Sequence, residues 1–281
     1  MLALAALLAL AIGVTLGLLG GGGSILTLPM LVYVAHVGDK SAIASSLFVV
    51  GVTSVVGAIS HARAGNVRPA AGLLFGAAGM AGAVGGSFAA KALPGSALLV
   101  GFGLVMFATS LAMMRGRRDR AEGTGALAAP YALALGAAVG FVSGLLGAGG
   151  GFLVVPALVL VGGLSMRHAI GTSLLVISMQ SAAGFAGHLV NHTPVPWPLV
   201  LVVAGAAVVG SLVGARLARH VAPARLRAGF AWLVLAMAIF MLAKQLPLPI
   251  AGAALVLAVA SILFMHRKKG LALENKELRT T

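Results

Sequence analysis

The chain has 281 residues, is 60% hydrophobic and only 9% charged, and carries a net charge of +14. That much apolar surface has no place in a water-soluble chain of this size, so the sequence reads as an all-α, polytopic helical membrane protein. It has no cysteine, which excludes disulfides, thiolate metal sites and cysteine nucleophiles; its basic residues lie between apolar segments without interleaved aromatics, which argues for orienting charges facing lipid and against nucleic acid.

Apolar runs of about 17–23 residues recur along the chain, each able to cross a hydrocarbon core of roughly 30 Å. The first predicted helix covers residues 2–19 and lacks the positive flank of a signal peptide. It ends in the stretch GLLGGGGSILTLPML, residues 17–31, where four glycines interrupt the apolar pattern. A short return over 25–35 follows, then three longer helices over 41–60, 70–90 and 96–114. A basic loop, 115–127, leads to a second series: a helix over 128–146, a glycine run, a return over 152–162, and helices over 168–188, 197–218 and 226–243. A further helix over 248–266 and a basic tail, 267–281, complete the chain.

The second series repeats the first. GLLGAGGGFLVVPAL, residues 144–158, matches residues 17–31 at an offset of 127, with nine of fifteen positions identical. The offset persists through AIASSL (42–47) against AIGTSL (169–174), and through Ser54/Ser181, Gly57/Gly184 and His61/His188. The chain therefore divides into a first transmembrane repeat (1–114), a loop (115–127), a second repeat (128–245), an extra helix (246–266) and a tail (267–281). Two matching copies dispose of the reading of the glycine run as a flexible linker.

Charge decides whether each short return is a separate crossing. If it is, and the N-terminus lies outside, 16 of the 19 lysines and arginines fall on the cytoplasmic side and only Lys40, Lys91 and Lys244 outside. If it merely continues the first helix, the best assignment leaves 7 inside and 12 outside. The positive-inside rule selects the first arrangement. Five crossings per copy is odd, so the two repeats are expected to be inverted, each with a Gly-broken first helix and a binding site near the midplane.

Non-helical backbone at that depth has to face protein or a water-filled cavity. Glycine lets amides approach a ligand, and successive amides make an anion-binding concavity. Pro29 and Pro156 are expected in the first turn of each short helix, where the missing N–H costs nothing, and the helix end adds positive partial charge. The expected site is Gly20, Gly21, Gly22, Gly23 and Ser24 with Gly147, Gly149, Gly150 and Gly151. Ser45, Ser46, Thr172, Ser173 and Gln180 are expected as cavity-lining groups, with Ser54 and Ser181 in support. Close helix packing by glycine, and serine bonding to its own helix, are the plainer alternatives. All five acidic residues (Asp39, Asp119, Glu122, Glu274, Glu277) fall in loops or the tail, which leaves a cation without an intramembrane carboxylate and suits a small anion. His61 and His188, at helix ends, are candidates for a proton-linked pair or plain interface residues; Arg216 either reaches toward an anion or snorkels to the surface. The glycine run has no following Lys-Ser/Thr, so ATP is not implied, and no cofactor or metal is expected.

The duplicated GLLGxGGG…P runs, followed by the ASS and GTS helices, resemble the sulfite exporter TauE/SafE family over about residues 5–245. The resemblance implies a secondary transporter of the bacterial inner membrane, not an enzyme, that exports sulfur-containing anions such as sulfite or organosulfonates. It places the family's glycine motif on Gly17, Gly20, Gly22 and Gly23, then Gly144, Gly147, Gly149, Gly150 and Gly151, and its prolines on Pro29 and Pro156. Ser24 stands where the second copy has Gly151. Two other readings stay open: a permease for a cation or metal ion, and a membrane enzyme or assembly subunit without transport.

Overall fold

The computed structural model describes residues 2–90, 94–115, 129–146, 151–190, 192 and 194–245. The predicted helix over 248–266 and the glycines Gly147, Gly149 and Gly150 lie outside these residues. Among the described residues the chain is helical throughout. The first repeat holds α1 (Leu2–Leu19), a 3-10 turn (Gly20–Gly23), α2 (Ser24–Tyr33), α3 (Asp39–Arg63), α4 (Pro69–Ala90) and α5 (Gly95–Arg115). The second holds α6 (Ala129–Leu146), α7 (Gly151–Pro156) running into a wide π turn (Ala157–Val161), α8 (Met166–Val190), α9 (Trp197–His220) and α10 (Pro223–Gln245). Five stretches are long and apolar enough to cross a membrane, in α3, α4, α8, α9 and α10, and α1, α5 and α6 carry shorter apolar stretches. Proline begins α4 and α10, where its fixed φ suits the first turn.

Glycine sets the packing. On α1, Gly13 and Gly17 lie on the backbone of Ala207 and Ser211 in α9, while Gly210 and Gly214 lie on Leu10 and Val14. Both registers rise together, so α1 and α9 run parallel. α4 and α6 do the same through Phe75–Gly136 and Gly79–Gly140. In α3 and α8 the register runs the other way: Leu47 meets Gly184, Gly51 meets Ser181, and Gly57 meets Leu174. These two helices hold equivalent places in the two repeats yet cross antiparallel. The repeats are therefore inverted, which requires the short helices to reverse the chain.

The reversal is visible at the first break. A side chain on Gly23 would strike the backbone of Leu16, seven residues earlier, so the chain has doubled back. Further on, Met30 and Leu31 of α2 share a core cluster with Ala5 and Ala9 of α1. At about 1.5 Å per residue, the ten residues of α2 rise about 15 Å, half of a bilayer core.

Arginines gather at one end of the bundle. The Arg219 guanidinium donates to the Ser60 carbonyl at 3.5 Å, and that of Arg167 donates to the carbonyls of Arg219 and Val221 at 3.3 and 3.5 Å. The Arg68 amide donates to the Thr172 hydroxyl at 3.0 Å. These bonds tie the C-terminal ends of α3 and α9 to the N-terminal ends of α4 and α8, where Arg63, Arg68, Arg167, Arg216 and Arg219 lie. Arg167 meets α9 where its last carbonyls carry negative partial charge.

The prolines are not where the sequence placed them. Pro29 is the sixth residue of α2 and Pro156 the sixth of α7, not first-turn residues. In the first copy α2 starts straight after Gly23, five residues before Pro29, and in the second the described part of α7 runs from Gly151, five residues before Pro156. Proline then withholds the bond that the carbonyl of Ile25 or Phe152 would accept, and after Pro156 the helix widens into the π turn.

Candidate functional site

The two breaks meet. Leu19 is near-helical (φ −112°, ψ −4°) and Gly20 is left-handed (φ 70°), the conformation that ends a helix and that glycine adopts at least cost. The following turn starts a new helix with no side-chain cap on its first amides. A Cβ on Gly21 would collide with the carbonyl of Gly151 from the other break. Ser24 and Gly151, the same position of the two copies, also touch: a Cβ on Gly151 would lie 2.6 Å from the Ser24 hydroxyl. A contact between equivalent positions puts the pseudo-two-fold axis through this junction. Gly151 also faces Ile177, near the middle of α8, so the junction sits at mid-depth of the bundle.

This arrangement explains one of the two departures between the glycine runs, Ser24 against Gly151; the other is Gly21 against Ala148. On the axis, only one of the two facing positions has room for a side chain. The Ser24 hydroxyl donates to the Gly21 carbonyl at 2.7 Å and holds the break in shape.

The remaining expected residues separate into groups. Ser173 packs on Gly20, its oxygen 2.7 Å from where a Cβ would stand, and donates to Ile170. Thus Gly20, Gly21, Gly23, Ser24, Gly151 and Ser173 come together, with Gly22 inside the same 3-10 turn. Ser45 and Ser46 bond their own helix, donating to Ser41 at 2.6 Å and Ile43 at 2.8 Å. Thr172 is committed to the α4 loop through Arg68. Gln180 is different: both polar atoms of its amide are buried without a partner. Its Nε2 lies 2.6 Å from the Cβ position of Gly79, so α4 makes room for the amide only because residue 79 is glycine. Among the described residues, no cluster of three metal-ligating side chains forms.

His61 is buried, and its Nε2 donates to the Gly17 carbonyl at 3.0 Å, tying α3 to the last turn of α1 just before the break. His188 is partly buried near the end of α8. Arg216 is exposed.

Among the described residues, the buried hydroxyls of Thr27, Ser54 and Ser211 have no partner within the protein. Leaving a buried donor unpaired costs about 1–3 kcal/mol, so each of these hydroxyls marks a place where a polar partner would be stabilised. The repeat signals Ser54 through its match to Ser181, but Thr27 and Ser211 correspond to Val154 and Val84 in the other copy, so symmetry hides them.

The sequence profile of the sulfite exporter TauE/SafE family matches residues 5–241. A protein of Xylella fastidiosa named a probable membrane transporter is 34% identical over 238 residues, spanning 82% of this chain and 91% of its own. Another of the same description, from Bacillus subtilis, is 29% identical over 210 residues, 73% of this chain and 85% of its own. A third, from Methanocaldococcus jannaschii, is 27% identical over 253 residues, 82% and 91% respectively. These relatives are described as transporters, not enzymes. No solved structure matches the chain.

Proposed function

This chain belongs to the sulfite exporter TauE/SafE family of membrane transporters, and from that premise we propose that it exports a small sulfur-containing oxyanion, of the sulfite or organosulfonate type, through the glycine junction. The observation that carries the reading is the meeting of the two breaks on the pseudo-two-fold axis, with no side-chain cap on the helix-start amides at Gly20–Gly23 and no acidic residue in the sequence of either break. Backbone amides at a helix start attract negative charge without a counter-ion, and they work best where water is excluded.

The bilayer is the bacterial inner membrane, and the Arg-rich face is the cytoplasmic one, which sets the N-terminus outside and the C-terminus inside. An anion leaving a negative cytoplasm moves downhill by about 2.3 kcal/mol per charge per 100 mV. Gly20–Gly23, Ser24, Gly147 and Gly149–Gly151 form the site, Ser173 and Gln180 border it, and Ser45, Ser46 and Thr172 serve the helices that hold it. In the present conformation Gly21 and Gly151 are in backbone contact, so transport requires the breaks to part.

Reconstitution into liposomes tests this. Sulfite or methanesulfonate flux that follows the imposed membrane potential and falls at least tenfold in Ser24→Ala, with the melting temperature near wild type, is the expected result. Flux of a cation that ignores competing anions, or lipid turnover without flux, would overturn it.

A further inference from the structure

The seam between α1, α3 and α9 carries a row of polar groups that the glycine junction does not use. Ser211 of α9 is fully buried and its hydroxyl has no partner. That oxygen lies 3.0 Å from the Cβ position of Gly57 on α3. Ser54, three residues before Gly57, is also fully buried with an unpartnered hydroxyl. It lies between Val50 and Ala58 on a face of α3 whose apolar members cluster with Leu16 of α1 and Leu174 and Ile177 of α8. His61, four residues beyond Gly57, is bonded to Gly17, and Arg219, eight residues beyond Ser211, reaches Ser60. From Ser54 to His61 the row climbs seven residues, about 10 Å, from mid-depth to the Arg-rich face.

These hydroxyls stand out against their neighbours. Ser45, Ser46, Thr53, Ser173 and Ser178 all donate to a carbonyl one turn back. Ser54 and Ser211 leave that option unused, although an unpaired buried donor is costly. Along this stretch of the seam Gly17 and Gly214 bring the α1 and α9 backbones into direct contact, while the side chains of Ala5, Ala9 and Ile12 pack with Val200, Val203, Ala204 and Ala207 farther from the Arg-rich face.

We propose that this seam is the path by which the anion reaches the glycine junction from the Arg-rich face. Arg219 meets the anion at the mouth, Ser211 and then Ser54 donate to it within, and the His61–Gly17 bond clasps the seam shut in the present conformation. The inference rests on the anion reading above. It adds a direction, because the position of Ser211 in the second repeat is held by Val84 in the first, so the equivalent seam of α4, α6 and α8 lacks that donor.

The absence of native cysteine makes a direct test available, with the wild type as its own blank. Ser54→Cys and Ser211→Cys are reacted with a membrane-impermeant maleimide in vesicles exposing either face, with Ala62→Cys at the exposed end of α3 as the labelling control. Both seam cysteines are expected to react from the Arg-rich face alone, and methanesulfonate, but not gluconate, should slow them about fivefold or more. Ser211→Ala should weaken the apparent affinity for methanesulfonate about tenfold while leaving the melting temperature unchanged or higher, as for removal of an unpaired buried hydroxyl. A labelled control with unreactive seam cysteines would overturn the path. So would labelling that methanesulfonate does not slow while wild-type vesicles carry methanesulfonate. Wild-type vesicles that carry neither methanesulfonate nor sulfite would overturn instead the anion reading beneath it.

Discussion

The glycine breaks are the best-matched stretch of the two copies, yet they differ at the pair of positions that touch. Away from the axis, motif positions repeat at the 127-residue offset: Gly57 with Gly184, His61 with His188, Pro29 with Pro156. At the axis, Ser24 faces Gly151 and the match fails. A duplicated chain folded about a pseudo-two-fold axis brings equivalent positions into contact, and two equal side chains cannot occupy one space. Other corresponding positions differ in polarity as well: Thr27 against Val154, Gln180 against Thr53, Ser211 against Val84. Inversion gives the two faces a common scaffold, and these substitutions give each face its own chemistry.

The largest effect is expected where the copies touch through backbone. Gly21→Ala puts a methyl into the Gly151 carbonyl, and neither backbone can yield without moving its helix. A loss of more than about 3 kcal/mol is expected, read as failure to recover folded protein in detergent. Gly151→Ser tests the axis argument itself. It sets two hydroxymethyl groups against each other and should cost about 1–3 kcal/mol in unfolding measurements. Adding Ser24→Gly should restore most of that, because the swap only moves the side chain across the axis. Two additive losses would break the comparison.

Gln180 sharpens it. Its counterpart Thr53 donates to Val49 at 2.6 Å and so is satisfied within its helix, whereas the Gln180 amide has no partner. Gln180→Met keeps the volume and removes the polar atoms. Stability should rise by about 1 kcal/mol while anion flux falls. A drop in melting temperature would show that the amide is structural.

Much of this was legible in the sequence. Helix positions follow from apolar runs ended by glycine, proline and arginine, and the inversion follows from an odd count of crossings weighed by charge. Both are properties that the bilayer enforces on every residue. The placement of Pro29 and Pro156 was not legible, because it depends on how quickly the chain resumes helical geometry after the glycines. Nor was the fate of each hydroxyl. Ser173 and Ser211 look alike in sequence, both serines among small and apolar residues. Only the neighbouring helix, with Gly20 at one and Gly57 at the other, distinguishes them, and only the first of the two hydroxyls bonds its own helix.

The smallest expected effect concerns the pair Thr172 and Ser45, equivalent positions with different partners. Thr172 accepts the Arg68 amide from the α4 loop, while Ser45 donates to Ser41 in its own helix. Thr172→Val removes a bond between two elements, and the loop amide must then find water. About 0.5–1 kcal/mol should be lost, with flux unchanged. Ser45→Ala removes a bond that only duplicates the acceptor's helical partner, and should shift stability by a few tenths of a kcal/mol at most. Equal losses in the two variants would mean that bonds between elements count no more here than bonds within one helix. A flux defect in Thr172→Val at unchanged stability would move that hydroxyl from the scaffold to the path.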